Sequence, residues 1–163
     1  MRVLITGAAG FIGFCLAQRL LARGDIVTGI DNLNDYYSVQ LKQDRLARLT
    51  ALGGERFRFI HVDFADMAAL DAALKGEKFQ RIVHLGAQAG VRYSIENPHA
   101  YVQSNLVGHL NMLEIGRHRG VEHLVYASSS SVYGGNTKLP FAVEDRVDHP
   151  VSLYAATKRA DEL

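Results

Sequence analysis

Along this chain, segments with the hydrophobic pattern of β-strands alternate with segments that have the period of an α-helix. "RVLIT", "DIVTGI" and "RFRFIHV" are short apolar or alternating runs, which are typical of strands. After the first run, Ile12, Leu16 and Leu20 recur at intervals of four, which is the spacing of one helix face. The pattern predicts five strands, over residues 2–6, 25–30, 56–62, 81–87 and 122–128.

Helical segments are predicted between these strands, and each has ordinary start or stop residues. Because strands and helices alternate strictly, the crossovers should be right-handed and the sheet parallel. We therefore predict an α/β fold, a doubly wound parallel sheet of the Rossmann type with strand order 3-2-1-4-5. The predicted helices run from Phe11 to a stop at Gly24, over 39–51, after a cap at Asp66, from Pro98 to about Arg119, and from near Ser152.

Composition fits one domain, residues 1–163, with 48% apolar and 21% charged residues. The net charge of +1 gives no electrostatic basis for binding nucleic acid or an anionic membrane. Residues 6–10, "TGAAG", interrupt the early apolar run, which argues against a signal peptide. The single cysteine, Cys15, excludes an internal disulfide and fits a reducing, cytoplasmic compartment; we expect it to be a small core residue.

The seven histidines show no spacing typical of metal ligands, so we predict no metal site. His84 is predicted to lie in a strand, and the other six on the surface or in loops.

Three glycines stand in the first predicted strand-to-helix turn, "TGAAGFIG", with the spacing G-x-x-G-x-x-G. In such a turn, backbone N–H groups and the positive end of the helix favour a pyrophosphate, and missing side chains let it approach. The turn alone is weak support, because glycine also serves ordinary tight turns. We predict that this turn contacts a cofactor through Gly7, Gly10, Phe11, Ile12 and Gly13.

Asp31 ends the second predicted strand, 18 residues beyond Gly13. A carboxylate there can accept hydrogen bonds from both adenosine ribose hydroxyls and would repel a 2′-phosphate, which favours NAD over NADP. Asn32 follows it and is assigned to the same site. The alternative for Asp31 is an acid that merely starts a loop, and the glycines weigh against it.

The third and fourth strands end where ligands gather in open sheets. Asp63 could accept the adenine amino group while Phe64 packs near the ring. An Asp that only precedes a helix is an equally good interpretation of Asp63. The cofactor prediction for the end of the fourth strand covers Leu85, Gly86 and Ala87.

Residues suited to proton transfer follow the fifth strand. "SSSS", Ser128 to Ser131, closes that strand, and Tyr154 and Lys158 stand four apart, on one face of the last helix. An ordinary tyrosine has a pKa of about 10, so it is a poor base unless an ammonium favours its phenolate. A serine hydroxyl could share the proton and hold the substrate oxygen. The Tyr-x-x-x-Lys pair alone is a weak signal, but it gains weight from the glycines, Asp31 and the serines in this order.

Four stretches of the sequence, "TGAAGFIG", "HLGAQAGVR", "YASSSSVYG" and "YAATK", resemble the extended short-chain dehydrogenase/reductase family, in particular its nucleotide-sugar epimerases. "DNLNDYY", "AQAGVRYSIENPHAYVQSN" and "HPVSLYAATK" are most similar to the UDP-glucuronate 4-epimerases, which supply a sugar for capsule and surface polysaccharides. The resemblance covers essentially the whole chain. It departs from the usual pattern at Gly86, where relatives more often carry Ala, and we expect binding to be undisturbed there.

The resemblance implies an NAD-dependent isomerase. Ser129, Tyr154 and Lys158 fall on the catalytic positions, although which of the four serines acts stays open. Tyr154 and Lys158 would also contact the cofactor, with Lys158 on the nicotinamide ribose. Arg92 suits the substrate carboxylate or the pyrophosphate, and a solvated loop arginine is its alternative. The implied substrate-binding residues are Arg92, Asn105, Ser128, Ser129 and Ser130.

Rival functions remain. The 4,6-dehydratases carry Thr-Asp-Glu after the strand-five serine and the UDP-glucuronate decarboxylases a Glu, whereas "SSSSVYG" has no carboxylate. The UDP-glucose and UDP-N-acetylglucosamine 4-epimerases share this half, and a non-catalytic dinucleotide-binding module is the alternative from another class. By resemblance, the chain is the N-terminal part of a longer enzyme whose C-terminal substrate domain is absent. We therefore expect this fragment to be inactive and the full-length enzyme to be a homodimer.

Overall fold

The computed structural model describes residues 1–163, and the chain divides into two compact units. The sheet unit comprises Met1–Gly86 and Leu110–Tyr126. The Tyr–Lys unit comprises Ala87–His109 and Ala127–Leu163.

The sheet unit contains five parallel strands in the order β3-β2-β1-β4-β5, so the predicted topology is confirmed. Strand β1 pairs with β2 through Val3 opposite Val27 and with β4 through Ile5 opposite Val83. The strands are β1 (Arg2–Thr6), β2 (Ile26–Asp31), β3 (Phe57–His61), β4 (Arg81–His84) and β5 (His123–Tyr126).

Helices cover the sheet, and the alternation along β1 separates two cores. Val3 and Ile5 belong to the cluster formed with α1 and α2, whereas Leu4 belongs to the cluster formed with α3 and α6. Because successive strand side chains point to opposite faces, this is the packing that a doubly wound sheet requires. The helices are α1 (Phe11–Ala22), α2 (Val39–Gly53), α3 (Met67–Ala73) and α6 (Gly108–His118), of which residues 110–118 lie in the sheet unit.

The Tyr–Lys unit is built from short helices and loops. It contains α4 (Tyr93–Glu96), α5 (Pro98–Tyr101), a π-helical turn (Val102–Val107), a 3₁₀ turn (Ser130–Tyr133) and α7 (Leu153–Glu162). Ser152 caps α7 by accepting a hydrogen bond from Ala155 N at 3.0 Å, which confirms the predicted start. None of the helices in the chain is both long and apolar enough to cross a bilayer.

Several sequence predictions need correction. The helix predicted from Pro98 to Arg119 is three consecutive segments, because a π turn interrupts the α-helical hydrogen bonding at Val102–Val107. Cys15 is exposed, since it lies on the solvent face of α1 and not in the core. His109 is buried on α6, although we expected it on the surface or in a loop.

Candidate functional site

The glycine turn after β1 is held by contacts of its own backbone. Gly10 N donates to Gly7 O at 2.9 Å, and Gly7 has φ +67°, in the left-handed region. A Cβ on Gly13 would lie 2.1 Å from Gly7 O, so no side chain fits there. The turn therefore requires glycine at two of its three positions for steric reasons alone, and it leaves the start of α1 open.

Asp31 lies at the end of β2, as predicted, and is buried against the glycine turn. Its Oδ2 accepts from Ala9 N at 3.2 Å, and its Oδ1 accepts from Leu33 N at 2.9 Å. Lys42 Nζ lies 3.7 Å from Asp31 Oδ1, and both side chains are less than 10% exposed. The carboxylate is thus oriented by two backbone amides, and its charge is offset by a buried ammonium.

Sequence reasoning did not assign Lys42, and it also missed the side chains of α2 and the loop before it that face the glycine turn. Arg45 Nη1 donates to Ala9 O at 3.2 Å and to Tyr37 Oη at 3.3 Å. The Lys42 ammonium lies 4.7 Å from the centre of the Tyr37 ring. The only sequence signal for Tyr37, Lys42 and Arg45 was their position shortly after "DNLND", close to the predicted cofactor residue Asp31. Charged residues on a polar helix usually face solvent, so this signal did not indicate a site.

Tyr37 and Arg45, together with Leu41, form one wall of a cavity of about 430 Å³ in the sheet unit. The Tyr37 hydroxyl donates to Ala9 O at 3.4 Å. Burial, with the Asp31 charge adding and Arg45 opposing, raises the pKa of this phenol, which keeps the donor protonated. The cavity has the glycine turn as its floor and no charged group other than the Arg45 guanidinium. It is lined by Gly7, Gly10, Phe11, Ile12, Gly13, Tyr37, Leu41, Arg45 and Leu85.

The two cofactor residues predicted after β3, Asp63 and Phe64, are held by contacts within the protein. Asp63 accepts hydrogen bonds from Asn32 Nδ2 at 3.0 Å and from Ala65 N at 2.8 Å. It therefore stabilises the loop after β3 and contacts Asn32, which is also predicted to bind the cofactor. Phe64 is buried in the core, edge-on to His84 with ring centres 5.2 Å apart. Contact of Asp63 and Phe64 with an adenine stays a prediction.

Gly86 lies close to the glycine turn. Thr6 Oγ1 accepts from Gly86 N at 2.8 Å and from Leu85 N at 3.0 Å, which fixes the chain after β4. A Cβ on Gly86 would lie 2.5 Å from the Phe64 ring, so alanine there requires the ring to shift. Ala87 follows in the Tyr–Lys unit and is exposed.

The sheet unit therefore fits a dinucleotide by its own geometry. The glycine turn has no room for a side chain at Gly7 or Gly13, and the start of α1 offers backbone N–H groups to an anion. Each Asp31 oxygen accepts one amide and has a second lone pair for a hydroxyl donor.

In the Tyr–Lys unit, α7 brings the predicted pair together. Tyr154 and Lys158 are one turn apart on its surface, and Lys158 is buried with its Nζ 2.5 Å from Asp161 Oδ2. The Tyr154 ring packs edge-on against Tyr101, with ring centres 6.0 Å apart. Tyr101 is anchored in turn, because its hydroxyl donates to Ala89 O at 2.7 Å. The tyrosine ring is thus positioned by packing and the lysine by an ion pair.

The serines after β5 are linked by hydrogen bonds. Ser129 caps the 3₁₀ turn by accepting from Ser131 N at 3.2 Å, and Ser131 Oγ donates to Ser129 Oγ at 2.8 Å. Ser128 Oγ donates to Glu162 Oε1 at 2.5 Å, so a carboxylate from α7 contacts a serine although none occurs within "SSSSVYG". Ser130 is exposed. Ser129 accepts both of the hydrogen bonds from Ser131, while the identity of the catalytic serine stays a prediction.

Asn105 and Arg92 differ sharply in their surroundings. Asn105 lies in the π turn, is buried, and bonds Gln88 N at 2.8 Å, Gln88 O at 3.0 Å and Thr157 Oγ1 at 3.0 Å. The structure thus gives Asn105 a positioning role, and its contact with a substrate stays a prediction. Arg92 is exposed on the loop before α4, where it is available to an anion. The chain contains no group of three or more His, Cys, Asp or Glu side chains arranged to hold a metal ion.

Comparison with known proteins relates this geometry to a family. A family model described as GDP-mannose 4,6 dehydratase matches residues 4–163. The probable UDP-glucuronate 4-epimerase of Rhizobium meliloti (strain 1021) is 52% identical over 163 residues, covering 100% of this chain and 47% of that protein. The chain spans about half the length of the first curated relatives it matches.

Two solved structures extend the comparison. A tyrosine-to-phenylalanine mutant of UDP-glucuronic acid 4-epimerase from Bacillus cereus, in complex with UDP-4-deoxy-4-fluoro-glucuronic acid and NAD, is 33% identical with a TM-score of 0.83. It is matched over 99% of this chain and 50% of its own. The UDP-Glc/GlcNAc 4-epimerase of Campylobacter jejuni is 27% identical with a TM-score of 0.87, over 99% of this chain and 46% of its own.

Proposed function

The chain belongs to the family whose model is described as GDP-mannose 4,6 dehydratase, and from this premise we propose that it is the NAD-binding part of a UDP-sugar 4-epimerase. The observation that carries the proposal is α7, which holds Tyr154 one turn from the buried ammonium of Lys158. The glycine turn and Asp31 supply the dinucleotide site that this chemistry needs. The relatives that match over the whole chain include proteins named as 4-epimerases.

The sheet unit would hold NAD through its backbone and one carboxylate. The pyrophosphate would lie over the glycine turn at the start of α1, with Arg45 as the nearest cation. The free lone pairs of Asp31 would accept the ribose hydroxyls. Lys42 offsets the charge of Asp31, so preference for NAD over NADP would rest on hydrogen bonding to the 2′-hydroxyl more than on repulsion of a phosphate.

The Tyr–Lys unit would carry the proton chemistry. Bound NAD would supply the acceptor for the hydride of sugar carbon 4 and the donor for its return to the opposite face. Tyr154, as phenolate, would take the proton of the 4-hydroxyl and give it back when the 4-keto sugar is reduced. Lys158 would stabilise the phenolate by its charge, and Ser129 would hold the sugar oxygen.

Within the 4-epimerases, UDP-glucuronate is the substrate that we propose, with UDP-galacturonate as product. The match to the Rhizobium meliloti protein over the whole chain supports it. The exposed guanidinium of Arg92 suits the carboxylate of such a sugar. A UDP-glucose or UDP-N-acetylglucosamine epimerase is the second candidate, because the Campylobacter jejuni enzyme has the same fold.

Epimerisation is favoured over dehydration, although the family model is described by a dehydratase. Elimination of water needs an acid and a base beside the sugar in addition to the tyrosine. The run from Ser128 to Tyr133 contains no carboxylate. Glu162, which contacts Ser128, is already paired with Arg159 at 2.9 Å.

We also propose that the chain is the N-terminal part of the enzyme and that residues 1–163 alone bind NAD without turning over a sugar. A non-catalytic dinucleotide-binding module is the rival, and it would give the same behaviour in the fragment. In the full-length enzyme, exposed Leu110 and Leu113 on α6 would contribute to a homodimer contact, which light scattering of the purified protein would test.

The proposed function is tested by offering the full-length protein three UDP-sugars separately, UDP-glucuronate, UDP-glucose and UDP-N-acetylglucosamine, and identifying products by NMR. We expect UDP-galacturonate from the first and at least tenfold slower reaction of the others. If only UDP-glucose or UDP-N-acetylglucosamine were converted, that sugar would replace UDP-glucuronate as the assigned substrate. A 4-keto-6-deoxy product would indicate a dehydratase. Bound NAD without conversion of any sugar would contradict an epimerase and favour the binding module.

A further inference from the structure

Asp161 lies on the same face of α7 as the proposed Tyr–Lys pair. Tyr154, Lys158 and Asp161 stand at positions i, i+4 and i+7 of the helix, which places them on one stripe. Lys158 Nζ donates to Asp161 Oδ2 across 2.5 Å, with only 5% and 1% of the two side chains exposed. Water therefore screens neither charge effectively. A carboxylate that the proposed mechanism does not use opposes the Lys158 charge at close range.

Other titratable groups surround the Lys158–Asp161 pair. Burial lowers the pKa of His109, while the Asp161 charge opposes this shift and the Lys158 charge adds to it. Burial therefore disfavours a second cation at His109 beside the Asp161 carboxylate. On α7 itself, Arg159 and Glu162 pair with each other. The elements packed against α7 carry five further titratable side chains, of which Glu96 and His99 are exposed. These are Tyr93, Glu96, His99, Tyr101 and Tyr133.

The ion pair leaves Lys158 able to act on other groups. An ammonium has three N–H donors, and Asp161 uses one, so two remain for a ribose or a phenolate oxygen. The lysine is also prevented from turning away, since a buried ammonium that left its carboxylate would lose its charge partner. Oδ1 of Asp161 is buried without a hydrogen bond, so the carboxylate keeps its full acceptor strength for this contact.

We propose that Asp161 is a positioning residue for Lys158, which fixes the ammonium beside Tyr154 and offsets part of its charge. Asp161 would thereby set the pH range over which Tyr154 acts as a base. The inference rests on the proposed function, because it assigns the base role to Tyr154. Removing the carboxylate charge would leave the ammonium unopposed, and the Tyr154 phenolate would form at lower pH.

The test is Asp161→Asn in the full-length, NAD-loaded protein, since asparagine keeps an oxygen acceptor for Lys158 but removes the charge. The near-ultraviolet tyrosinate signal of Tyr154 is isolated by subtracting the titration of the matching variant that also carries Tyr154→Phe. We expect the midpoint to move down by about one pH unit, and the acidic limb of the pH–rate profile to move with it. Asp161→Glu, which keeps the charge, should stay near wild type, as should Glu144→Gln, which neutralises an exposed carboxylate of the same unit.

A midpoint unchanged in a folded Asp161→Asn protein would overturn the inference, whatever the change in overall rate. Asp161→Ser is the second neutral variant, and thermal unfolding checks both. If neither neutral variant folds, Asp161 serves the fold instead, which also overturns the inference. The tyrosinate titration does not depend on turnover. A wild-type protein without epimerase activity would therefore count against the proposed function and leave the Asp161 result readable.

Discussion

The two units of this chain prepare for their chemistry in different ways. In the sheet unit the site is backbone, where glycines are required because a Cβ on Gly13 would collide with Gly7 O at 2.1 Å. In the Tyr–Lys unit the site is side chains, where Lys158 is held by Asp161 and Tyr154 by the edge of Tyr101. Added atoms should therefore damage folding and cofactor binding in the sheet unit. Altered charges in the Tyr–Lys unit should change rate and pH dependence while the fold survives.

The largest effect should come from Tyr154→Phe, which removes the hydroxyl and keeps the ring against Tyr101. We expect turnover by the full-length enzyme to fall at least about 100-fold, because the general base is lost, while NAD affinity changes little. The measurement is steady-state kinetics together with NAD titration. Tyr133→Phe is the control, since its ring stacks on Phe141 and is retained. An active Tyr154→Phe enzyme would remove this residue from the mechanism.

Gly13→Ala tests the steric side of the comparison. The new methyl group would meet backbone that cannot move without opening the turn, so we expect a loss of about 3 kcal/mol of unfolding free energy and of measurable NAD binding. Gly116→Ala on α6 is the matched control, because its Cβ would lie 3.5 Å from Leu124, an ordinary contact. The control should gain roughly 0.5–1 kcal/mol from helix propensity. Equal denaturation midpoints for the two variants would refute the steric account.

Asp31→Asn should weaken NAD binding about tenfold, which is roughly 1.4 kcal/mol, because a charged acceptor for the ribose hydroxyls is replaced by a neutral one. It also removes the negative charge 3.7 Å from the buried Lys42 ammonium, which then keeps only its hydrogen bonds to Asn34, so some stability should be lost. Calorimetric titration with NAD and NADP measures both affinities. We expect the preference for NAD to shrink. An unchanged ratio would show that Asp31 does not face the ribose.

His109→Phe should give the smallest effect, visible only as a change in pH dependence. The folded-state pKa of His109 is lowered mainly by burial, so the unfolded chain binds the proton more readily. Stability from this group is therefore full above the unfolded pKa of about 6.5 and declines as the pH falls below it. Denaturation at several pH values should show a weaker decline in the variant. Stability curves of the wild type and the variant that stay parallel over this pH range would contradict the lowered pKa of His109.

The sheet unit was largely predictable because its information is local. The alternation of apolar strands with helical segments predicted the strand order, and the glycines after β1 and the end of the second apolar run predicted the turn and the place of Asp31. The ends of the strands were less certain, as with β4, which stops at His84. Lys42 was missed because its burial depends on tertiary packing, and in the sequence a lysine in a polar helix reads as solvated.

The Tyr–Lys unit was predictable only in its Tyr-x-x-x-Lys spacing and the cap at Ser152. A π turn inserts one extra residue into a helix, and an apolar period cannot reveal a single insertion, so the break at Val102–Val107 was invisible. Asp161 gave no signal either, since an i, i+3 pair of charges usually lies in water. Its role follows from burial, which only the structure reveals.

In the proposed mechanism, hydride leaves sugar carbon 4 and returns to the same carbon while Tyr154 exchanges the hydroxyl proton. The most direct test gives the full-length enzyme UDP-glucuronate carrying deuterium on carbon 4 and follows the product by NMR. We predict UDP-galacturonate that keeps its deuterium on carbon 4, with no exchange into solvent. Product that has lost the deuterium to water would contradict hydride transfer, because the hydrogen would then have left carbon 4 as a proton.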